Sequence, residues 1–89
     1  MARRLRLGVL ASGRGSSLQA ILDASRAGEL PADVAVVLSN RPSAMALERA
    51  RAAGVPAFVL SQKRFESLRE RDLAFVEQLR AHQVDLVVL

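Results

Sequence analysis

The sequence predicts an α/β fold, a parallel sheet with helices on both faces. Apolar, β-branched runs alternate along the chain with stretches whose apolar residues recur every three or four positions, and glycine or proline separates them. The first run, 5–11, is apolar at almost every position, as expected for a strand covered on both faces of a parallel sheet. Four such strands alternating with three helices predict parallel strands joined by right-handed crossovers.

The first two elements are a strand over 5–11 and a helix over about 16–27. Ser16 or Ser17 is expected to cap the start of this helix, since serine hydroxyls accept hydrogen bonds from first-turn N–H groups. Gly28 is expected to end it, because a left-handed residue is favoured there.

Turn residues divide the next part of the chain into two strands and a helix. The strands are predicted at 34–38 and 56–60, and the helix over 43–53 lies between them. Ser43 is expected to cap this helix and Gly54 to end it.

The last helix is predicted over about 63–82, and a fourth buried strand over 85–89. The helix carries a stripe of apolar residues with three- and four-residue spacing, namely Phe65, Leu68, Phe75, Val76 and Leu79. The expected strand order is 3-2-1-4, that of half a Rossmann-like sheet.

Composition favours one small soluble domain. The 89 residues contain no repeat or linker, so 1–89 is predicted to form a single segment, and the ending inside an apolar strand suggests that the chain is cut there. The absence of cysteine excludes disulfides and thiolate metal sites, and no metal site is expected. No apolar run approaches a membrane span or a signal peptide, which predicts a cytoplasmic protein without membrane contacts.

The net charge of +4 raises the possibility of a nucleic-acid partner. Much of the excess lies in Arg3, Arg4 and Arg6, and the three aromatic residues, all Phe, are not interleaved with basic residues. We therefore expect no nucleic-acid binding.

The loop Ser12-Gly13-Arg14-Gly15-Ser16-Ser17 is the strongest candidate site. It joins a strand to a helix, where unpaired N–H groups and the helix dipole favour an anion. The alternative is purely structural: Gly13 and Gly15 make a tight turn, and the two serines cap the helix.

Dinucleotide and nucleoside-triphosphate motifs are absent from this loop. Leu18 stands where G-x-G-x-x-G requires its third glycine, and no acidic residue follows the second strand, although Arg41 could meet an NADP 2′-phosphate. The pattern G-x-x-x-x-G-K-[ST] is also missing. A single phosphate group on a small molecule remains the expected ligand.

Residues 9–20, Val-Leu-Ala-Ser-Gly-Arg-Gly-Ser-Ser-Leu-Gln-Ala, resemble the start of the phosphoribosylglycinamide formyltransferases. Further stretches agree in one register, at 39–41, 46–50, 53–56 and 85–89. The resemblance implies the amino-terminal half of a transferase that passes a formyl group from 10-formyltetrahydrofolate to glycinamide ribonucleotide in purine biosynthesis.

The resemblance also implies site residues. The substrate phosphate would be held by the loop at Gly13, Gly15, Ser16 and Ser17, with Ser17 standing where asparagine is common. A folate-binding arginine is displaced: Leu68 occupies the matching position and Arg69 follows it. Arg69 is therefore a candidate folate contact, although a solvated helix charge is the simpler interpretation, because one residue turns a helical side chain by about 100°.

Leu89 is the other candidate for the folate pocket, at its margin. The family's catalytic Asn, His and Asp have no counterpart, because the single histidine, His82, lies near the end of the third helix. The segment by itself is therefore predicted to be inactive.

Two other functions remain open from the residues alone. One is an NADP-dependent oxidoreductase domain, and the other is a non-enzymatic module that binds a phosphate-bearing ligand. The sequence does not indicate an oligomeric state.

Overall fold

A computed structural model describes residues 4–61, 63 and 65–89. In chain order, the elements of this part are β1 (Leu5–Leu10), α1 (Ser16–Arg26), β2 (Ala32–Ser39), α2 (Met45–Ala52), β3 (Ala57–Val59), α3 (Leu68–Ala81) and β4 (Leu86–Val88). The strands form one parallel sheet in the order β3-β2-β1-β4, which confirms the predicted fold class and strand order.

The second strand forms the centre of the core. Val36, Val37 and Leu38 are completely buried there, as expected for a β-branched run covered on both faces. Its pairing with β1 shifts register between Leu7 and Gly8, so that Ala35 is an extra residue. As a result, Val37 packs with α1 and α2, while Val36 and Leu38 pack towards α3.

The two faces of the sheet are covered unequally. Helices α1 and α2 bury Leu18, Leu22, Ala46, Leu47 and Ala50 against one face. Helix α3 has no fully buried residue.

The predicted apolar stripe on α3 is only partly correct. Phe75 and Leu79 pack against the core from this helix, as does Phe65 just before it, but Leu68 and Val76 are 52% and 40% exposed. The residues of α3 that contact the core are instead Ala74, Phe75 and Leu79. Leu68 is the first residue of the helix.

Serine capping is wrong for the first two helices. Gly15 is the N-cap of α1 and Ala44 that of α2, and neither helix has a side-chain cap. Ser67 does cap α3, accepting a hydrogen bond from the N–H of Glu70 at 3.1 Å. This cap explains why α3 begins at Leu68 and not near residue 63.

The helix ends follow the predicted glycine pattern. Gly28 and Gly54 have positive φ angles, and at each turn the N–H of the glycine and the N–H of the next residue donate to carbonyls of the last helical turn. Gln83, with φ 55°, makes the same turn after α3.

The fourth strand is less buried than expected. It spans Leu86–Val88, lies at an edge of the sheet and pairs with β1. Leu86 and Val87 are 54% and 41% exposed, because neither α1 nor α3 covers this edge completely.

Two arginines fasten the amino ends of the strands. The guanidinium of Arg4 donates to the carboxylate of Asp33 at 2.9 Å and to the carbonyl of Ala32 at 2.9 Å. That of Arg6 donates twice to the carbonyl of His82, at 3.0 and 2.9 Å. Part of the basic excess is thus structural, while Arg3 lies outside the described residues.

Candidate anion-binding site

The glycine-rich loop lies at the carboxyl end of the sheet, between β1 and α1. Since β1 pairs with β2 on one side and with β4 on the other, the chain reverses its direction of winding beside this loop. A cavity of about 290 Å³ opens there, lined by residues that include Gly15, Ser16, Ser17, Val88 and Leu89. Open α/β sheets bind ligands at such a switch point.

Gly15 is required by the backbone and by its neighbour. Its φ is 75°, in the left-handed region, and a Cβ atom would lie 2.7 Å from Cα and 2.8 Å from Cβ of Ala46. Gly15 therefore has a structural role in this turn, whether or not the loop binds an anion. The absence of a side chain lets the loop approach α2 closely.

The start of α1 leaves donors for an anion. The first helical hydrogen bond runs from the N–H of Gln19 to the carbonyl of Gly15, at 2.8 Å. No side chain caps the helix and no acidic residue lies in its first turn. The N–H groups of Ser16, Ser17 and Leu18 therefore point outward together with the positive end of the helix dipole, and both serines are exposed.

Arg49 on α2 holds the loop by hydrogen bonds. Its Nε donates to the carbonyl of Arg14 at 2.7 Å, and its Nη1 donates to the side chain of Gln19 at 3.2 Å. Because a trans peptide directs its N–H opposite its carbonyl, this bond directs the N–H of Gly15 away from Arg49. The sequence analysis missed this residue, since nothing in the spacing of Arg49 and Arg14 indicates the contact.

Gly13 lies on a neighbouring cavity, also of about 290 Å³, between the loop and the start of α2. Arg14, Arg41 and Ser43 line it as well. The four residues predicted to hold phosphate thus share one loop, but Gly13 faces a different cavity from the other three.

The two predicted folate contacts lie on different elements. Leu89, 93% exposed, lines the cavity beside Ser16 and Ser17, whereas Arg69 is exposed in the first turn of α3. Arg71, two residues further along, lines a cavity at the ends of β1 and β2.

His82 lies far from the loop along the fold. It is the C-cap of α3, its ring Nδ1 lies 2.8 Å from the carbonyl oxygen of Gln78, and its own carbonyl is held by Arg6 at the amino end of the sheet. This placement agrees with its predicted contribution to the helix C-terminus.

The described residues offer neither a metal-binding cluster nor a membrane-spanning helix. In 4–61, 63 and 65–89, no three or more His, Cys, Asp or Glu side chains are grouped so that they could hold a metal ion. Within the same ranges, no helix is long and apolar enough to cross a membrane.

The fold and the loop together define a class, namely parallel α/β domains with a glycine-rich loop at the switch point of the sheet. Comparison with known proteins identifies the family within this class. The sequence profile of the formyl transferase family matches residues 5–89. The chain therefore belongs to the formyl transferase family, which confirms the resemblance seen in the loop.

Curated and solved relatives agree with this assignment. The chain is 42% identical over 84 residues to the phosphoribosylglycinamide formyltransferase of Haemophilus influenzae, and 46% identical over 89 residues to the trifunctional purine biosynthetic protein adenosine-3 of Drosophila melanogaster. The crystal structure of glycinamide ribonucleotide transformylase 1 from Symbiobacterium toebii superposes with a TM-score of 0.93 at 48% identity.

These matches cover nearly all of the chain but only part of each relative. They include 94%, 98% and 98% of the chain, and 40%, 7% and 41% of the H. influenzae, Drosophila and S. toebii proteins. The chain thus spans about two fifths of the H. influenzae and S. toebii proteins.

Proposed function

We propose that residues 1–89 form the sugar-phosphate-binding segment of a phosphoribosylglycinamide formyltransferase. The whole enzyme would transfer a formyl group from 10-formyltetrahydrofolate to the amine of glycinamide ribonucleotide in cytoplasmic purine biosynthesis. The observation that carries the proposal is the uncapped start of α1 at the switch point, in a chain whose relatives bear this enzyme's name.

The segment would contribute positioning. The N–H groups of Ser16 and Ser17, with the hydroxyl of Ser17 in place of a more common amide, would hold the phosphate of the ribonucleotide at the far end from its reactive amine. Binding energy gained at a remote phosphate can be used to orient the reacting group. Attack on the formyl carbon would depend on residues outside this segment, so we expect the segment to be inactive by itself.

Family membership favours this function over the two alternatives. An NADP-dependent oxidoreductase would need its adenosine ribose held after β2, where Arg41 lies exposed beside Gly13. A module that only binds phosphate would share the loop, but its relatives would not be formyltransferases.

The test is a charge introduced at the start of α1. In the full-length enzyme, Ser17→Asp places a carboxylate among the N–H groups that would bind phosphate, and the dissociation constant for glycinamide ribonucleotide should rise at least tenfold. Isothermal titration calorimetry measures it. Ala20→Asp is the matched control, since Ala20 is exposed on the same helix beyond its first residues and should leave the constant within about twofold.

A further variant tests the contribution of the side chain at position 17. Ser17→Asn, which restores the amide common in the family, should bind the ribonucleotide at least as tightly as the parent. If Ser17→Asp and Ala20→Asp bind alike, the loop does not hold the phosphate and the proposal fails.

A further inference from the structure

Arg14 and Arg41 line one cavity from two different loops. The cavity, of about 290 Å³, lies between the glycine-rich loop and the start of α2, and Ser12 and Ser43 also line it. Both arginines are exposed, and neither guanidinium makes an ion pair or a hydrogen bond with another residue in the described part of the chain. Two cations without a protein partner and two hydroxyl groups are thus collected around one space.

A buried hydroxyl holds the backbone of Arg41. Among the described residues, Ser39 is the one buried polar side chain, at 1% exposure. Its Oγ accepts from the N–H of Arg41 at 3.1 Å and donates to the carbonyl of Arg41 at 3.2 Å. The same carbonyl also accepts from the N–H of Ala44 at 3.2 Å. The turn after β2 is therefore fixed at the residue that carries the guanidinium.

The backbone beside Arg14 is held as well, by α2. The carbonyl of Arg14 accepts from the Nε of Arg49 at 2.7 Å, and the carbonyl of Gly13 accepts from the N–H of Ala46 at 3.3 Å. Both bonds tie the glycine-rich loop to the helix whose start borders the cavity. A ligand would have to order only the two arginine side chains, and a site fixed in advance loses less free energy on binding.

The charge of the lining suits a dianion. None of the lining residues is acidic, and Glu48, which is exposed in the first turn of α2, is not among them. A guanidinium group donates pairs of parallel hydrogen bonds to phosphate oxygens. Two such groups balance the charge of a phosphate monoester, which is about −2 above neutral pH.

We propose that Arg14 and Arg41 bind a phosphate dianion, either free or as the monoester of a small molecule. The hydroxyl groups of Ser12 and Ser43 donate to its remaining oxygens. This site is separate from the cavity beside Ser17 at the start of α1, although Ser12 and Arg14 line both cavities. The inference does not depend on the proposed function.

The probe is inorganic phosphate, with acetate as the monoanion, added to the nitrogen-15-labelled full-length protein at about pH 8. The backbone N–H resonance of Ser43 should shift with a dissociation constant of about 10 mM or lower, at least tenfold below that for acetate. Arg41→Gln and Arg14→Gln should each raise the constant measured at Ser43 at least tenfold. Arg41→Gln should leave the response at Ser17 unchanged. Arg51→Gln, which removes an exposed arginine of α2 outside the lining, should change neither resonance.

Ribose 5-phosphate distinguishes the two sources of the dianion. Tighter binding of this monoester at Ser43 supports the proposal with an esterified ligand, and tighter binding of inorganic phosphate supports it with the free ion. Equal binding of acetate, or an unchanged constant at Ser43 in Arg41→Gln, would overturn the proposal. A constant above about 10 mM would mean an adventitious ion only. If Ser43 and Ser17 follow one curve that Arg41→Gln weakens at both, there is a single site and the proposal of a separate one fails.

Discussion

The two ends of the sheet use the same kinds of residue in opposite ways. At the amino end, the guanidinium groups of Arg4 and Arg6 are occupied by carbonyls and by the carboxylate of Asp33. At the carboxyl end, the start of α1 has no side-chain cap and the Nε of Arg71 has no partner in the described part of the chain.

Whether a polar group has a hydrogen-bond partner distinguishes structural residues from candidate binding residues better than composition does. The net charge of +4 raised the possibility of a nucleic-acid partner, which the sequence did not favour, and in the structure Arg4 and Arg6 hold the fold together. Polar groups that the fold leaves unsatisfied mark where an outside molecule can contribute. By that criterion, we expect the ligand to bind at the carboxyl end.

The largest expected effect is on the glycine that shapes the carboxyl end. Gly15→Val forces a β-branched residue into a φ of 75° and into contact with Ala46, so it should lower the free energy of unfolding by about 3 kcal/mol. Urea denaturation measures this loss. Gly13→Val is the matched control, because a Cβ at Gly13 has no neighbour within 4 Å and should change stability by less than about 1 kcal/mol.

The Gly15 result would also show how to interpret ligand binding. If Gly15→Val is as stable as the parent, the turn does not need glycine and the structural interpretation of this residue is wrong. If it is destabilised, its loss of ligand affinity says little about phosphate, and exposed Ser17 is the better position for testing the site.

The next effect compares two arginines that each hold a backbone carbonyl. Arg49→Ala frees the carbonyl of Arg14 behind the loop and, given the proposed function, should raise the dissociation constant for glycinamide ribonucleotide about tenfold. Arg6→Ala frees the carbonyl of His82 and should lower the free energy of unfolding by about 1–2 kcal/mol without changing this constant. Calorimetry and urea denaturation of both variants test the comparison, which fails if Arg6→Ala weakens binding as much as Arg49→Ala does.

The smallest effect is a pH dependence at the amino end. The hydrogen bond from Arg4 lowers the pKa of Asp33 below its ordinary value of 3.8, with Ser25 adding to the shift. A lowered folded-state pKa gives stability above the unfolded value that is lost as the pH falls through the folded value. Below about pH 4, the free energy of unfolding should therefore fall less steeply in Asp33→Asn than in the parent, by under about 1 kcal/mol because the pair is exposed.

Patterns repeated along the chain predicted the fold well. The apolar runs gave the order β3-β2-β1-β4, and Gly28 and Gly54 marked two helix ends. Starts were less predictable, since Gly15 displaced Ser16 and Ser17 as the cap of α1. For α3, the spacing of Ser67 and Glu70 was a local signal for the true start that the apolar Phe65 obscured.

Only the part of the site that is contiguous in sequence was predictable. Gly13, Gly15, Ser16 and Ser17 adjoin in sequence, so the loop could be identified, although its division between two cavities could not. Arg49 reaches the loop, and Arg71 lines a neighbouring cavity, from helices distant in sequence, so their places depend on how α2 and α3 pack.

The contact between Gly15 and Ala46 also sets a limit on how this loop can evolve. Any side chain larger than alanine at position 46 would push the turn off α2 and move the N–H groups at the start of α1. We therefore expect the two positions to change together among relatives, with small residues retained at 46 wherever glycine is retained at 15. A relative with a larger residue at either position would need a different arrangement of the N–H groups at the start of its first helix.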